Sequence, residues 1–390
     1  NLSSIVESFD LLTWKEAVML VIGFVLIGLA IIKEYEPTLL LPIGFGCVLA
    51  NLGMSAYQTV EINGQTQPGF MKVLYDAGIS TELFPLLIFI GVGAMIDFRP
   101  LLAMPKMVIL GAAGQFGIYG TLILGCVLAK YIPSLNWGLA EAASIGTIGA
   151  IDGPTAIYTT TRLAAHLLGP IAVAAYSYMA LVPVIIPLVV KLLCTKNEIL
   201  INMKEQDKLY PNTLQIKNMR VAKIIFPIFV TVLVAIIVPS AVSLIGMLMF
   251  GNLIKEIGSD TSRIAETASN ALMNIATIFL GLSVGATMTV QSFLNWQTIG
   301  IVAGGFCAFA VSIAGGILLV KLFNLFSKKK INPLVGACGL SAVPMASRVA
   351  NEIATKYNPK NNILNYCMSS NISGVIGSAV AAGVLIAFLR

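Results

Sequence analysis

Residues 148–157 read Ile-Gly-Ala-Ile-Asp-Gly-Pro-Thr-Ala-Ile, which places a single carboxylate, that of Asp152, inside an apolar stretch. A carboxylate at membrane depth costs about 3 kcal/mol on insertion scales. Gly149, Gly153 and Pro154 would open a helix and free backbone carbonyls, which lipid tolerates only where protein shields them or where they line a cavity. The stretch therefore predicts a discontinuous membrane helix built around a polar site.

The composition of the whole chain agrees with a membrane protein. Its 390 residues are 57% hydrophobic and only 11% charged, with a mean hydropathy of +0.89, whereas soluble domains carry about 25% charged residues. This excludes a soluble enzyme, a disordered protein and a secreted disulfide scaffold. The net charge of +6 is expected in cytoplasmic loops and does not indicate nucleic acid. The six cysteines form no C-x-x-C motif, so we interpret them as buried small hydrophobic residues.

Apolar segments along the chain predict an all-α polytopic protein with roughly ten or eleven crossings. The segments at 138–165 and 333–350 are crowded with Gly, Pro, Ser and Thr, and each is expected to be a broken helix. Two basic regions, 195–223 and Lys328 to Lys330, should be cytoplasmic. The first of them divides the chain into a membrane repeat at 1–194, a cytoplasmic linker at 195–223 and a second membrane repeat at 224–390.

An internal repeat crosses this linker. At a shift of 186 residues, the segment from Gly153 to Ala164 aligns with the segment from Gly339 to Ala350, with Gly, Ala, Arg and Ala identical. Duplicated halves that each hold a broken helix are typical of transporters whose site lies near the membrane midplane. If each half crosses the membrane an odd number of times, the two repeats are inverted.

The alignment predicts an asymmetric cation site between the two broken helices. Asp152 would supply the charge, with Thr155 beside it, and neutral oxygens would come from Asn332, Ser341 and the backbone near Gly336. Ca²⁺ normally takes more carboxylates and transition metals prefer nitrogen or sulfur, so a monovalent cation fits better. The alternative is a carboxylate paired to a neighbouring arginine without a role in transport.

Four further residues are candidates with a structural alternative. Tyr178 and Asn371 place polar groups in apolar helices, where they could equally be hydrogen bonds of helix packing. Arg162 and Arg348 follow the two broken segments, and each could bind an anion or reach the membrane interface with its long side chain. Only one of the two arginines need be functional.

Motifs spread over nearly the whole chain carry a family resemblance. They are Lys33-Glu-Tyr-Glu-Pro37, Leu41-Pro-Ile-Gly-Phe-Gly46, Gly149-Ala-Ile-Asp-Gly-Pro-Thr-Ala156, Val173-Ala-Ala-Tyr-Ser-Tyr-Met-Ala-Leu-Val-Pro183, Asn332-Pro-Leu-Val-Gly-Ala337, Ser341-Ala-Val-Pro-Met-Ala346 with Arg348, and Asn371 to Val384. In these motifs the chain resembles the membrane β subunits of sodium-pumping, biotin-dependent decarboxylases that act on oxaloacetate, methylmalonyl-CoA or glutaconyl-CoA.

The resemblance implies a reaction that the composition cannot show. Carboxybiotin, charged by a carboxyltransferase α subunit and delivered by a biotin carrier, would be decarboxylated at this subunit, and the reaction would drive Na⁺ export from a bacterial cytoplasmic membrane. A small membrane γ or δ subunit and further copies of the chain are expected in the complex. Met71-Lys72 is followed by Val73 and not by the methionine of the biotinylation signature, so biotin must arrive on a partner.

The resemblance also assigns roles to residues. It implies that Asp152, Asn332, Gly336 and Ser341 form the Na⁺ site, with Asn371 a weaker addition. Asp152, Tyr178 and Arg348 would act in catalysis, Tyr178 by handling the proton. Arg348 would act on the carboxybiotin side together with Ser341, because a guanidinium matches an anionic ligand.

Two rival functions predict different observations. A stand-alone ion-coupled secondary transporter fits the repeat, the broken helices and the buried carboxylate equally well, but it needs no biotinylated partner. A passive membrane anchor for a soluble enzyme predicts that an Asp152→Asn variant retains decarboxylation.

Overall fold

The computed structural model describes residues 13–33, 37–52, 60–62, 65–132, 135, 137–210 and 216–389. The motif at 33–37 lies partly outside these residues. The regular secondary structure of the described residues is helical apart from a short antiparallel hairpin of β1 (Val60–Ile62) and β2 (Gln65–Gln67).

The first half of the chain begins with two long apolar helices and ends in a bent pair. Its helices are α1 (Trp14–Ile32), α2 (Pro37–Leu52), α3 (Phe70–Leu74, continued by a π-helical turn, Tyr75–Ile79), α4 (Leu83–Met95), α5 (Arg99–Ala103), α6 (Val108–Ala113), α7 (Phe116–Tyr131), α8 (Leu139–Gly146), α9 (Gly153–Leu163), α10 (Leu168–Ala180) and α11 (Val182–Leu193). Short 3₁₀ turns lie at Pro105–Met107, Thr147–Ala150 and Ala165–Leu167.

Two short helices of the linker, α12 (Lys196–Ile199) and α13 (Met203–Leu209), precede the second half. The helices of that half are α14 (Met219–Ile237), α15 (Val242–Ile257), α16 (Ser262–Thr267, continued by a π-helical turn, Ala268–Leu272), α17 (Met273–Ala286), α18 (Val290–Phe293), α19 (Trp296–Phe326), α20 (Pro333–Ala337), α21 (Met345–Tyr357) and α22 (Leu364–Leu389). Further 3₁₀ turns lie at Pro239–Ala241 and Ser259–Thr261.

The prediction of an all-α polytopic membrane protein is confirmed. By length and composition, seven helices of the described residues can cross a membrane, or nine if each of two bent pairs is one span. The shorter apolar helix Pro37–Leu52 adds a tenth candidate passage. The expectation of ten or eleven crossings therefore stays compatible with the described chain.

The longest helix, α19, runs through the molecule and shows where each broken segment enters. Near its first residues, Gly300 packs against Trp137, just before α8. In its middle, the Ser312 hydroxyl donates to the carbonyl of Gly149 at 2.6 Å. Near its end, the Asn324 amide donates to the carbonyl of Ile331, just before α20, at 2.7 Å.

The segment α8 to α9 is a helical hairpin, hereafter the first hairpin. It runs from the N-terminal end of α19 to the middle of that helix and then back. The return is shown by His166 Nε2, just beyond α9, which lies 3.8 Å from Glu141 Oε1 at the start of α8. Ile151 makes the turn in the left-handed region at φ 58°. A β-branched residue is strained there, so the turn is fixed by its surroundings and not by local preference.

The segment α20 to α21 forms the second hairpin, which enters from the opposite end of α19. Asn332, at its beginning, donates to the carbonyls of Ile199 and Ile201 at 2.8 and 3.0 Å. Asn361, just beyond its end, donates to the same two carbonyls at 3.3 and 3.1 Å. Both ends of the second hairpin are thus held by the linker, on what we call the linker side.

The tips of the two hairpins meet in the middle of the molecule, where the Ser341 backbone N–H donates to the carbonyl of Ala150 at 3.1 Å. Both broken helices that the sequence predicts are therefore present. The order of elements is also alike in the two halves, each with its own hairpin before its last apolar passage. This order supports an inverted duplication, which stays a prediction.

The distribution of basic residues agrees with the predicted orientation. Of the Lys and Arg residues in the described ranges, only Lys15, Lys72, Lys130 and Arg162 lie toward the side opposite the linker. The two basic regions also contact each other, since Lys329 pairs with Asp207 of α13. The excess of cations on the linker side supports its predicted cytoplasmic location, which stays a prediction.

The six cysteines are all free of disulfide bonds. Cys47, Cys338 and Cys367 are buried as predicted, whereas Cys126 and Cys194 are only half-buried. The prediction is wrong for Cys307, which is exposed on the outer surface of α19. A thiol is apolar enough to face lipid, so an apolar run alone does not distinguish burial in protein from exposure to the bilayer.

Candidate functional site

A cavity of about 360 Å³ lies where the two hairpin tips face a neighbouring group of helices. One wall consists of Asp152 at the first tip and Ser341 at the second. The other wall comes from the linker-side parts of three helices, with Thr38 on α2, Met95 on α4 and Asn274 on α17. The cavity therefore extends from the hairpin tips toward the linker side.

Asp152 lines this cavity and is 8% exposed. It caps the N-terminus of α9, where the helix dipole favours a negative charge, and its Oδ1 accepts from the backbone N–H of Thr155 at 3.2 Å. Its Oδ2 accepts from the hydroxyls of Thr155 at 2.7 Å and Ser378 at 3.0 Å. These bonds stabilise the carboxylate but do not neutralise it.

The second hairpin contributes to the same cluster through Ser341. Its hydroxyl lies 2.7 Å from Ser378 Oγ and 3.2 Å from the carbonyl oxygen of Gly374. A carboxylate, three hydroxyls and a carbonyl therefore gather between the hairpin tips and α22. We call this set of Asp152, Thr155, Ser341, Ser378 and the Gly374 carbonyl the oxygen cluster.

The oxygen cluster has the chemistry of a site for a hard cation of low charge. Oxygen donors suit alkali and alkaline-earth ions, and a divalent ion normally recruits more than one carboxylate. Within the described ranges, no three His, Cys, Asp or Glu side chains gather as a metal site. One negative charge among neutral oxygens balances one positive charge.

Asp152 is not paired to an arginine, which removes the alternative interpretation for the residues that the structure describes. Arg162 instead forms a two-bond ion pair with Glu82 on the far side of α9, and its guanidinium lies 4.9 Å from the centre of the Tyr158 ring. Arg162 is thus held by a structural contact.

Arg348 is the arginine that faces the cavity. It lies one turn into α21, lines the cavity wall and is exposed. No ion pair of its guanidinium occurs within the described part of the chain. The structure therefore brings Asp152, Ser341 and Arg348 to one cavity.

Asn371 holds the second hairpin in shape from α22. Fully buried, it donates through Nδ2 to the carbonyl of Leu340 in the break, and its Oδ1 accepts from the Ser347 hydroxyl of α21 at 3.3 Å. Both contacts are to the hairpin and neither is to Asp152. This geometry supports a positioning role behind the oxygen cluster.

The structure does not bring Asn332 or Gly336 to Asp152. Asn332 lies at the root of the second hairpin, where its Nδ2 bonds the linker and its Oδ1 accepts from the N–H of Leu334 at 3.0 Å. Gly336 packs against α19 so closely that an added Cβ would lie 2.2 Å from the carbonyl oxygen of Gly316. The first residue binds the linker and the second permits helix contact, so the geometry does not support either as a cation ligand.

Tyr178 also lies away from the cavity. Its hydroxyl donates to the carbonyl of Val302 on α19, and its ring lines a separate apolar groove with Trp14 and Trp296 on the side opposite the linker. Tyr176, two residues earlier, lines the Asp152 cavity instead. The catalytic role predicted for Tyr178 stays a prediction that this conformation does not support.

Sequence reasoning missed Ser378, Asn274 and Thr277. Asn274 and Thr277 line the cavity from α17, and polar residues three positions apart in an apolar helix share one face, so this spacing was a usable signal. Ser378 gave no such signal, because serine is common wherever membrane helices pack closely.

Comparison with known proteins finds one family over the chain. Residues 15–389 match the family model of the Na⁺-transporting oxaloacetate decarboxylase β subunit. The chain is 42% identical to a probable oxaloacetate decarboxylase β chain of Vibrio cholerae, covering 100% of this chain and 99% of the relative. It is 46% identical to the glutaconyl-CoA decarboxylase β subunit of Acidaminococcus fermentans, covering 100% and 97%. It is also 46% identical to the methylmalonyl-CoA decarboxylase β subunit of Veillonella parvula, covering 98% and 95%.

Proposed function

The chain belongs to the family of membrane β subunits of Na⁺-translocating decarboxylases, and we propose from this premise that carboxybiotin loses CO₂ beside Arg348 while Na⁺ passes through the oxygen cluster. The chain is a multi-pass protein of the bacterial inner membrane and acts within a multisubunit complex. The observation that carries the proposal is that Asp152, Ser341 and Arg348 share one cavity on the cationic linker side.

The Na⁺ site is the oxygen cluster. Asp152 provides the charge, and Thr155, Ser341 and Ser378 provide hydroxyl oxygens that can turn their lone pairs toward an ion. Asn371 holds the break of the second hairpin in place through its hydrogen bond to the Leu340 carbonyl. This set keeps Asp152, Thr155 and Ser341 of the sequence prediction and takes Ser378 and the Gly374 carbonyl in place of Asn332 and Gly336.

Arg348 provides the docking point for carboxybiotin. Cleavage of the bond between the ureido nitrogen and the carboxyl carbon releases CO₂, and the nitrogen then takes a proton to regenerate biotin. Arg348 attracts the anionic carboxyl group before that cleavage, and Ser341 of the oxygen cluster lines the same cavity. The release of CO₂ removes the anion from the cavity and so changes the field at Asp152.

The partners are those that the family resemblance implies. A carboxyltransferase α subunit charges biotin, a biotin carrier brings it to the linker side, and a small membrane γ or δ subunit completes the complex, in which several copies of this chain assemble. Coupling requires that carboxybiotin interact differently with the inward-facing and outward-facing states. A cavity that extends toward the linker side supports the inward-facing state as the one that receives both Na⁺ and carboxybiotin.

The test is decarboxylation-driven ²²Na⁺ uptake by proteoliposomes that contain the purified complex. Asp152→Asn should abolish uptake and turnover together, because it removes the charge of the site. Asp97→Asn is the matched control, since that carboxylate pairs with Arg99 on the linker side, and it should retain both activities.

The rival functions give different results in the same experiment. An Asp152→Asn complex that still decarboxylates would support a passive anchor. Uptake driven by an ion gradient in vesicles without any biotinylated partner would support a secondary transporter.

A further inference from the structure

A second cavity, of about 280 Å³, lies on the linker side and belongs to no part of the proposed transport path. Its walls come from three parts of the chain that are distant in sequence. Lys106 and Ile109 lie at the start of the α6 region, Tyr210 follows linker helix α13, and Phe323 and Lys329 lie at the end of α19.

The lower part of this cavity is apolar and open to the bilayer. Ile109 is 58% exposed and Phe323 is 40% exposed, and both belong to apolar helices that can cross the membrane. Leu319 continues the same wall one turn deeper. A groove with this lining binds a hydrocarbon chain in preference to a water-soluble ligand.

The upper part of the cavity is polar and cationic. Lys329 is already paired with Asp207, and Asp207 also accepts from the Tyr366 hydroxyl, so the acidic group at this rim is neutralised. Lys106 is exposed, and in the part of the chain that the structure describes it forms no ion pair. The rim therefore carries an unbalanced positive charge at the level where α6 enters the membrane.

We propose that this cavity binds an anionic phospholipid of the linker-side leaflet. Basic pockets between membrane helices on the cytoplasmic side fit anionic headgroups. Lys106 and Lys329 bind the phosphate, the Tyr210 hydroxyl lies within the headgroup region, and the acyl chain follows Ile109, Leu319 and Phe323. The lipid joins the first half, the linker and the second half, and so stabilises the docking of the linker over the root of the second hairpin.

The experiment measures the thermal unfolding midpoint of the purified, delipidated complex in detergent with added phosphatidylglycerol, phosphatidylcholine or inorganic phosphate. Phosphatidylglycerol should raise the midpoint by about 3 °C, whereas the zwitterionic lipid and phosphate alone should not. Lys106→Gln should lose this shift. Lys360→Gln, another exposed lysine of the linker side, should retain it.

Each alternative result overturns the proposal. Equal shifts with both lipids would show that the headgroup charge is not recognised. The same shift with inorganic phosphate would show an ion site without a lipid. A shift that persists in Lys106→Gln would place the lipid elsewhere, and since the readout is unfolding, none of these results depends on the transport function.

Discussion

At the scale of single residues, the hydroxyl of Ser378 gives the sharpest test of the oxygen cluster. Ser378→Ala removes a donor to Asp152 and a ligand oxygen, while the Cβ atom stays in place. A hydrogen bond to a charged group contributes about 1.5 kcal/mol or more, which corresponds to roughly a tenfold change in an equilibrium constant. We expect the Na⁺ concentration for half-maximal decarboxylation to rise by about that factor, with the maximal rate affected less.

The matched control lies on the same helix. Ser369 is as buried as Ser378, but its hydroxyl has no hydrogen-bond partner among the described residues. Ser369→Ala should leave the Na⁺ dependence unchanged. Equal effects of the two substitutions would mean that α22 responds to packing alone and that Ser378 is not a ligand.

Substitution of the two arginines of the aligned segments should have different effects, one on function and the other on stability. Arg348→Gln should reduce decarboxylation strongly with little change in thermal stability, because its guanidinium faces the cavity. Arg162→Gln should lower stability by about 3 kcal/mol, because it leaves Glu82 partly buried and unpaired. The test measures the decarboxylation rate and the thermal unfolding midpoint of both variants. The reverse pattern would mean that Arg162 acts in function and Arg348 in stability.

Residue chemistry explains which site residues the sequence could predict. Asp152 could be found because a lone carboxylate in an apolar segment requires an explanation. Asn332 and Gly336 lie at the root and wall of the second hairpin, whereas Asp152 lies at the tip of the first. The geometry therefore does not support these two as ligands, because residues close together in a motif need not be close in space.

At the scale of elements, the contact between the second hairpin and α19 depends on glycine. An added Cβ at Gly316 would lie 2.0 Å from the carbonyl oxygen of Gly336, a backbone atom that cannot move aside alone. Gly316→Ala should therefore displace the hairpin and cost about 1–3 kcal/mol of stability. Na⁺-dependent turnover should fall as well, because Ser341 belongs to the same hairpin.

Gly304 on the same helix is the control for this substitution. A Cβ there would meet Ile145 Cγ2 at 3.5 Å, an ordinary contact, and alanine favours helix over glycine. Gly304→Ala should be neutral or slightly stabilising in a thermal unfolding experiment. If both variants unfold at the same temperature, the close approach of the backbone at Gly316 does not contribute to stability.

The sequence predicts the secondary-structure elements more completely than the contacts between them. The broken helices could be placed within a few residues, because Gly149, Gly153 and Pro154 act through backbone geometry that is local in sequence. The docking of the linker could not be predicted, since Asn332 and Asn361 meet its carbonyls only after the chain has folded. Charge predicts that the linker is cytoplasmic, but it could not show that the linker holds both ends of a hairpin.

At the scale of the whole molecule, the two hairpins place one polar site between opposed entrances. Each hairpin reaches only the middle of α19, so Asp152 and Ser341 are separated from either side by the depth of one hairpin. A small movement of α2, α4 and α17, which line the other wall of the cavity, relative to the hairpins can then change the side of the membrane to which the oxygen cluster is open. The same geometry keeps the root of each hairpin away from the ion, which agrees with the structural contacts of Asn332.

This geometry predicts the accessibility of the hairpin roots, which single cysteines can measure after the native cysteines, including exposed Cys307, are replaced. With an impermeant maleimide on right-side-out vesicles, Leu139→Cys and His166→Cys should both be labelled from outside, because these residues lie at the two ends of the first hairpin. Lys328→Cys and Lys360→Cys should both react only after permeabilisation, because they lie at the two ends of the second. Labelling of the two ends of one hairpin from opposite sides would mean that this segment spans the membrane, and the site could then no longer lie between two opposed tips.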